Sequence, residues 1–359
     1  MKTNKILASL FLTALTVPFF TSCDPKEEIT QTPAISTGVF VLNEGKFNSN
    51  NASLTYYDFA TSFASADLFL DKNNRGLGDT GQDMIKYGSN LYIALYKSSL
   101  IEVVNAHTGL SIKSIPMKNA SNAPSSPRTL TAANGKVYIV LFDGHVTQLD
   151  TTSLTLGSII SVGANPDASV ISNNKLYVAN TGGMATVMDS TISVINLSTF
   201  AEEKRIKVNV NPATIKADSY GDIYVVSNGN YGSIPGKFQR IEAVTNKVTD
   251  INIAVKNFEI YGDKAYIYNF TYDANWQATN KTIAVYDVKN EQLVSANIIT
   301  STIDKMPYCI NVDPTTNDIY LGVTDYVNNG KMYCFDKNGA LKFTFTTGIN
   351  PSKLVFITK

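Results

Sequence analysis

A short strand whose second residue is aromatic recurs along this chain and limits what the chain can become. It reads Val39-Phe40-Val41-Leu42, Leu91-Tyr92-Ile93-Ala94, Val137-Tyr138-Ile139-Val140 and Leu176-Tyr177-Val178-Ala179. It returns as Ile223-Tyr224-Val225-Val226, Ala265-Tyr266-Ile267-Tyr268 and Ile319-Tyr320-Leu321-Gly322. The five intervals between Tyr92 and Tyr320 cover 228 residues, roughly 46 per repeat, which is the size of a propeller blade.

A second strand precedes each copy by about ten residues and often opens with proline, as at Pro127, Pro166, Pro212, Pro307 and Pro351. Gln82-Asp83-Met84-Ile85 and Asn257-Phe258-Glu259-Ile260 take the same slot without it. Between the two strands stand turn formers such as Asn134-Gly135, Asn173-Asn174 and Gly262-Asp263, which favour positive φ and a tight hairpin. One repeat then divides into strand A (residues 128–132), strand B (136–141), strand C (146–149) and strand D (156–162). The apolar period is two throughout, with no convincing amphipathic helix.

The chain starts on a strand B, Val39 to Leu42, and finishes on a strand A, Lys353 to Ile357. Joining the two ends completes one blade. The expected fold is therefore all-β, a seven-bladed β-propeller of four-stranded blades over residues 37–359, closed by its C-terminal strand. Radial packing lets each sheet bury both faces against its neighbours. Cys309 and Cys334 fall on strands A and C of one blade, about 9–10 Å apart across strand B, too far for a disulfide.

Residues 1–22 read as an export signal: Lys2 and Lys5 precede an apolar run from Ile6 to Phe20 that is too short to span a bilayer comfortably. Phe20-Thr21-Ser22-Cys23 looks like a lipobox that makes Cys23 the lipidated first residue of the mature chain. Residues 23–36 then form a polar tether with Pro25 and Pro33. Its Asp24-Pro25-Lys26-Glu27-Glu28 resembles the acidic surface-export signal of Bacteroidota lipoproteins. The whole chain has 30 basic and 30 acidic residues, so losing the two leader lysines leaves a slight acidic excess. That balance gives no electrostatic case for nucleic acid or for an anionic membrane face. With 17% charged and 10% aromatic residues, the composition fits a β-rich extracytoplasmic protein.

Catalysis finds little support. The two histidines, His107 and His145, have no ligands at zinc spacing, and no P-loop, nucleophile elbow or calcium loop is present. No metal and no cofactor is expected. Gly76-Leu77-Gly78-Asp79-Thr80-Gly81 precedes a strand rather than a helix, so it offers no dipole to a phosphate. A glycosidase or lyase pair drawn from carboxylates of different blades stays as the enzymatic alternative. Binding is better supported. In a propeller the strand B–C loops and the inter-blade connections share one rim. Residues just after the prolines (Asp83, Arg128, Asp167, Phe258, Tyr308 and Ser352) are expected at the channel mouth. The long B–C loops add Asn180, Phe47, Tyr231, Tyr272 and Trp276. Aromatic faces beside amides suit a large, flat, semi-polar ligand. The expected ligand contacts are Asp83, Arg128, Asp167, Asn180, Tyr231, Phe258, Tyr272, Trp276 and Tyr308.

Three stretches, Gly38-Val39-Phe40-Val41-Leu42-Asn43-Glu44-Gly45, Ser53-Leu54-Thr55-Tyr56-Tyr57-Asp58 and Leu77-Gly78-Asp79-Thr80-Gly81-Gln82-Asp83-Met84, resemble the YncE-like propeller lipoproteins of Bacteroidota. The likeness runs over the whole mature chain. Some members, the BtuG-type proteins, capture cobalamin at the cell surface and cap a BtuB-type TonB-dependent transporter. The resemblance thus implies a non-enzymatic, outer-membrane, surface-facing lipoprotein whose partners are a corrinoid and such a transporter. An adhesion or scaffold propeller that binds protein or glycan is the competing expectation.

Overall fold

The computed structural model describes residues 34–119 and 121–359. The leader, Cys23 and the acidic stretch behind it lie outside the described residues. Seven four-stranded antiparallel sheets follow one another round the ring. Blade 1 joins Pro351–Thr358 to Ser36–Asn43, Ser53–Asp58 and Phe63–Ala64. Blades 2 to 7 occupy residues 81–116, 127–161, 166–207, 212–251, 257–295 and 306–346. The seven-bladed architecture and its closure by the C-terminal strand are as expected.

Seven apolar clusters hold the ring, and each draws on two adjacent blades. Tyr92, Tyr138, Tyr224 and Tyr320, the recurring strand B aromatics, are among the largest fully buried side chains. A four-stranded sheet has two apolar faces and can cover neither alone, so these aromatics fill the layers between blades. Cys309 and Cys334 are free and buried, and burial pushes both thiols up to about 12.

The prolines have a second effect. Because proline cannot donate to the ladder it sits first in its strand, or second in the case of Pro307, and the pairing slips directly behind it. A bulge lies between Pro127 and Thr129, Pro166 and Ala168, Pro212 and Thr214, and Pro307 and Cys309. Blade 2 has the same slip between Gly81 and Asp83, and blade 1 behind Pro351. Each bulge leaves one residue unpaired and re-aims its side chain. Those residues are Gln82, Arg128, Asp167, Ala213, Tyr308 and Ser352. Blade 6 has no proline and no bulge: Asn257, Phe258 and Glu259 pair without interruption.

Two departures from the sequence reading concern local structure. One helix does form: α1 (Leu68–Asn73) lies in the connection from blade 1 to blade 2. Asp67 caps it by accepting from the backbone of Leu70, and Phe69 is buried between the blades. It packs where the fourth strand of blade 1 is only two residues long. The first strand also begins at Ser36, and Ile35 already exchanges backbone hydrogen bonds with Lys359, so the tether ends slightly earlier than residue 36.

Closure rests on an antiparallel register that pairs Val39 with Phe356 and Val41 with Leu354. Leu354 is buried with blade 7 and Ile357 with blade 2, so one strand serves two interfaces. At about 1.5–3 kcal/mol per buried large apolar side chain, these two approach the marginal stability of a whole domain. Deleting residues 353–359 is therefore expected to abolish cooperative folding or lower the melting temperature sharply. Circular dichroism melts of truncated and full mature chains check this, and an unchanged melt would show that the ring closes without the strand.

Candidate functional site

Strands A of all seven blades surround a central cavity of about 620 Å³. Four acidic side chains (Glu44, Asp83, Asp167 and Glu259) and four basic ones (Lys86, Arg128, Lys216 and Lys353) line it. Six of them form three ion pairs across blades, Arg128 with Asp167, Lys216 with Glu259 and Lys353 with Asp83. Arg128 donates through Nε to Asp167 (2.5 Å) and through Nη1 to Gln82 (2.9 Å). Lys216 reaches Glu259 at 2.6 Å and Lys353 approaches Asp83 at 3.4 Å. The bulged residues Gln82, Arg128, Asp167 and Tyr308 all stand in this set.

Asp83 is a tie between blades. Its Oδ2 accepts from Thr129 Oγ1 (2.9 Å) and the backbone N–H of Leu130 (2.7 Å), both in blade 3. It is not itself the bulged residue of blade 2, which is Gln82. Ser352 donates at 3.3 Å to the carbonyls of Leu42 and Gly81, again stitching neighbours.

Glu44, the first residue after the strand Ser36–Asn43, enters the mouth unforeseen. Tyr308 Oη donates to its Oε2 at 2.7 Å. Burial pushes the Glu44 carboxyl up to about 7, opposed by the Tyr308 hydroxyl and by the nearby charges of Arg128 and Lys353. Burial and the adjoining carboxylate likewise raise the Tyr308 phenol. Proximity of Asp83 raises the Lys353 ammonium.

An arc of aromatic rings surrounds the mouth on the same rim. Phe142 of blade 3 meets Tyr96 of blade 2 at 5.8 Å, and Tyr96 meets Phe47 of blade 1 at 6.5 Å. The Arg128 guanidinium lies 5.0 Å from the Tyr96 ring centre and 5.1 Å from that of Phe142. Past the Glu44–Tyr308 bond, Tyr308 meets Tyr326 edge-on at 5.7 Å within blade 7. In blade 6, Tyr272 and Trp276 stand 5.9 Å apart, and the Tyr272 hydroxyl donates to Met306 Sδ at 3.5 Å. A second cavity of about 560 Å³ lies between the blade 6 hairpin and the blade 7 loop, lined by Tyr272, Trp276, Met306 and Tyr326.

Of the expected contacts, Arg128, Asp167 and Tyr308 meet at the mouth with Asp83 beneath them, and Tyr272 and Trp276 meet beside it. Tyr231 is 76% exposed on a separate loop in blade 5. Two of the expected contacts have buried side chains. Phe258 is 1% exposed and packs on Phe238 at 5.0 Å in the layer between blades 5 and 6. Without a bulge it keeps the register of Leu130 and Ile215, and a one-residue slip in a strand moves a side chain to the other face. Asn180 is fully buried at the end of its strand, where its amide donates to Thr191 and Ser193. The B–C loop expected to carry Tyr272 and Trp276 is mostly strand, since Lys264–Tyr272 and Ala278–Asp287 extend the hairpin outward.

The sequence reading missed Glu44, Gln82, Lys353, Tyr96, Phe142 and Tyr326. A signal existed for two of these: Tyr96 and Phe142 each follow directly on a strand B, the position Glu44 holds in blade 1. Nothing local marks Glu44 as a residue of the mouth. Among the described residues no three His, Cys, Asp or Glu side chains converge as metal ligands would.

The fold and mouth define a seven-bladed propeller with a polar, charge-paired channel under an aromatic rim. The chain belongs to the family described as Domain of unknown function (DUF5074), which matches residues 37–355. No curated protein sequence matches it significantly. Among solved structures it is similar to a protein of Bacteroides fragilis described as a candidate 6-phosphogluconolactonase, with 14% identity and a TM-score of 0.63 over 89% of this chain and 98% of that one. A similarly described Bacteroides uniformis protein gives 13% identity and 0.62 over 89% and 100%. Hydrazine synthase of Kuenenia stuttgartiensis gives 16% and 0.61 over 76% and 88%. At these identities the likeness shows the fold alone.

Glu44 carries a pH prediction. Its folded carboxyl titrates at about 7, above the ordinary 4.5, so between those values the folded chain keeps a proton that the unfolded chain has released. The stability tied to this proton is full below about 4.5 and falls as pH rises through about 7. Glu44→Gln, which keeps an acceptor for Tyr308, is expected to remove that decline. Melting temperatures of both proteins from pH 5 to 8 should diverge in favour of the variant as pH rises. Parallel curves would show that Glu44 is not protonated in the folded state.

Proposed function

We propose that this protein is a cell-surface lipoprotein that captures a broad, amide-rich small molecule, cobalamin or another corrinoid, at the propeller mouth. It passes the ligand to a BtuB-type TonB-dependent outer-membrane transporter. One observation carries the reading: the aromatic arc over five consecutive blades, set round a mouth in which three ion pairs bridge neighbouring blades. A corrinoid is a wide ring edged by amides with little net charge, so it needs ring faces and hydrogen-bonding partners more than strong field. Resemblance to the YncE-like lipoproteins supports the same ligand. We read a binding protein rather than an enzyme, because Asp83 and Asp167 are committed to partners in neighbouring blades.

The chain joins blade 1 at Ile35, on the rim opposite the mouth. A second reading, a scaffold propeller that grips a protein, is favoured by exposed Met184, Val187, Ile234 and Val327 on the tall loops of the mouth rim.

Equilibrium dialysis of the purified mature protein against micromolar cyanocobalamin is expected to show retention. Tyr308→Ala is expected to weaken it by about 2 kcal/mol, the scale of a hot-spot aromatic, chiefly through faster release. His107→Ala, in a turn on the far rim, should leave it unchanged. No retention would remove the corrinoid reading and leave the scaffold. Separately, protease added to intact cells is expected to digest the protein, whereas digestion confined to lysed cells would place it in the periplasm.

A further inference from the structure

The cavity beside the mouth has its own chemistry. Trp276 is the chain's single tryptophan and is 79% exposed. Both Trp276 (φ 60°) and Tyr326 (φ 63°) sit in the left-handed region, which bulky residues seldom adopt. The turns that hold them are built on carboxylates. Asp273 Oδ1 accepts from the backbone of Asn275 and Gln277 at 2.9 Å each, and Asp325 Oδ1 from Val327 (3.0 Å) and Asn328 (2.7 Å). The rings are therefore displayed by rigid turns, which lowers the entropy lost on binding. At 57° and 5.9 Å, Tyr272 and Trp276 do not stack on one another; Lys256 and Phe270 already contact the Tyr272 ring, so it is the exposed Trp276 that offers a ring face.

The polar groups decide what such a wedge would take. Asp304 accepts from Tyr333 Oη at 2.8 Å and from Lys331, and Asp325 also pairs with Lys305 at 3.1 Å. Thr324 donates to Asn350 at 2.7 Å. With its carboxylates so engaged, the cavity is poorly equipped for the dense hydroxyl groups of a sugar. Remaining capacity lies in the aromatic faces, the Met306 thioether, the Gln277 carbonyl, and spare ammonium hydrogens on Lys281 and Lys305. Each of those lysines already donates one hydrogen bond to a backbone carbonyl. Apolar walls with a few donors suit a flat heteroaromatic ring joined to an anionic linker.

We infer that this cavity is a subsite for a heteroaromatic base carried on a phosphate-bearing arm. If the corrinoid reading above holds, on which this assignment of the whole ligand rests, the occupant is the benzimidazole nucleotide arm of a complete corrinoid, with Trp276 and Tyr326 on the base. The protein would thereby prefer corrinoids that have the arm over those that lack it.

Two measurements test this. The free nucleoside of dimethylbenzimidazole is titrated while the Trp276 emission is followed, and saturable quenching is expected. Cyanocobalamin and dicyanocobinamide, which lacks the base, are then compared by equilibrium dialysis, and cobalamin is expected to bind about tenfold tighter or more, the scale of one base–aromatic stack. Trp276→Ala should erase that preference while leaving cobinamide binding unchanged, and Trp276→Phe should keep part of it. Equal retention of both corrinoids with no quenching by the nucleoside would overturn the subsite and leave the capture function standing. Quenching by the nucleoside with neither corrinoid retained would overturn the capture function and leave the subsite. Failure of all three ligands would overturn both.

Discussion

Everything in this molecule depends on apolar packing between blades. A four-stranded sheet with valine, isoleucine and tyrosine on both faces has no stable existence in water by itself, and only a neighbour on each side removes those faces from solvent. The seven interfaces are alike in kind, each drawing on the strand B and C side chains of both blades, as where Tyr92 and Val103 share one cluster with Val137 and Leu149. Polar ties such as Asp83 to Thr129 and Leu130 add direction to that packing.

Period-two alternation and the repeated strand B aromatic made the ring legible in sequence, since burial on both faces leaves a dense pattern. Ring closure was legible for the same reason: an unpaired strand B at one end and an unpaired strand A at the other have one economical solution. What sequence did not reveal was the consequence of the proline. Read as punctuation, it marks the start of strand A; read with the pairing, it accompanies the bulge, formed in blade 2 behind Gly81 instead, that turns the next side chain toward the channel. Arg128, Asp167 and Tyr308 follow a proline and reach the mouth. Phe258 has no proline before it, stays in register and lies in the core.

The helix was hidden because six residues carry too little periodicity to register, although Asp67 before an apolar run is a capping signal that could have been weighed. Glu44 was hidden for a deeper reason. Its hydrogen-bond and charge partners, Tyr308, Arg128 and Lys353, stand far along the chain, and no local pattern encodes a meeting of blades 1, 3 and 7. Aromatic loop residues fared better: Tyr272 and Trp276 were legible as a group, while Tyr96 and Phe142 were passed over because their loops are short.

The pairing of the first and last strands also fixes an order of events for a chain that emerges from its N-terminus. Ser36–Asn43 appears first and cannot find its inner partner until Pro351–Thr358 arrives. Until then the nascent protein is an open crescent with a bare strand edge and an uncovered apolar face at each tip. Such surfaces invite pairing with other chains. A tag or fusion appended after Lys359 would leave from the rim that also receives Ile35, away from the mouth, whereas a stop codon a few residues early would strand the crescent for good.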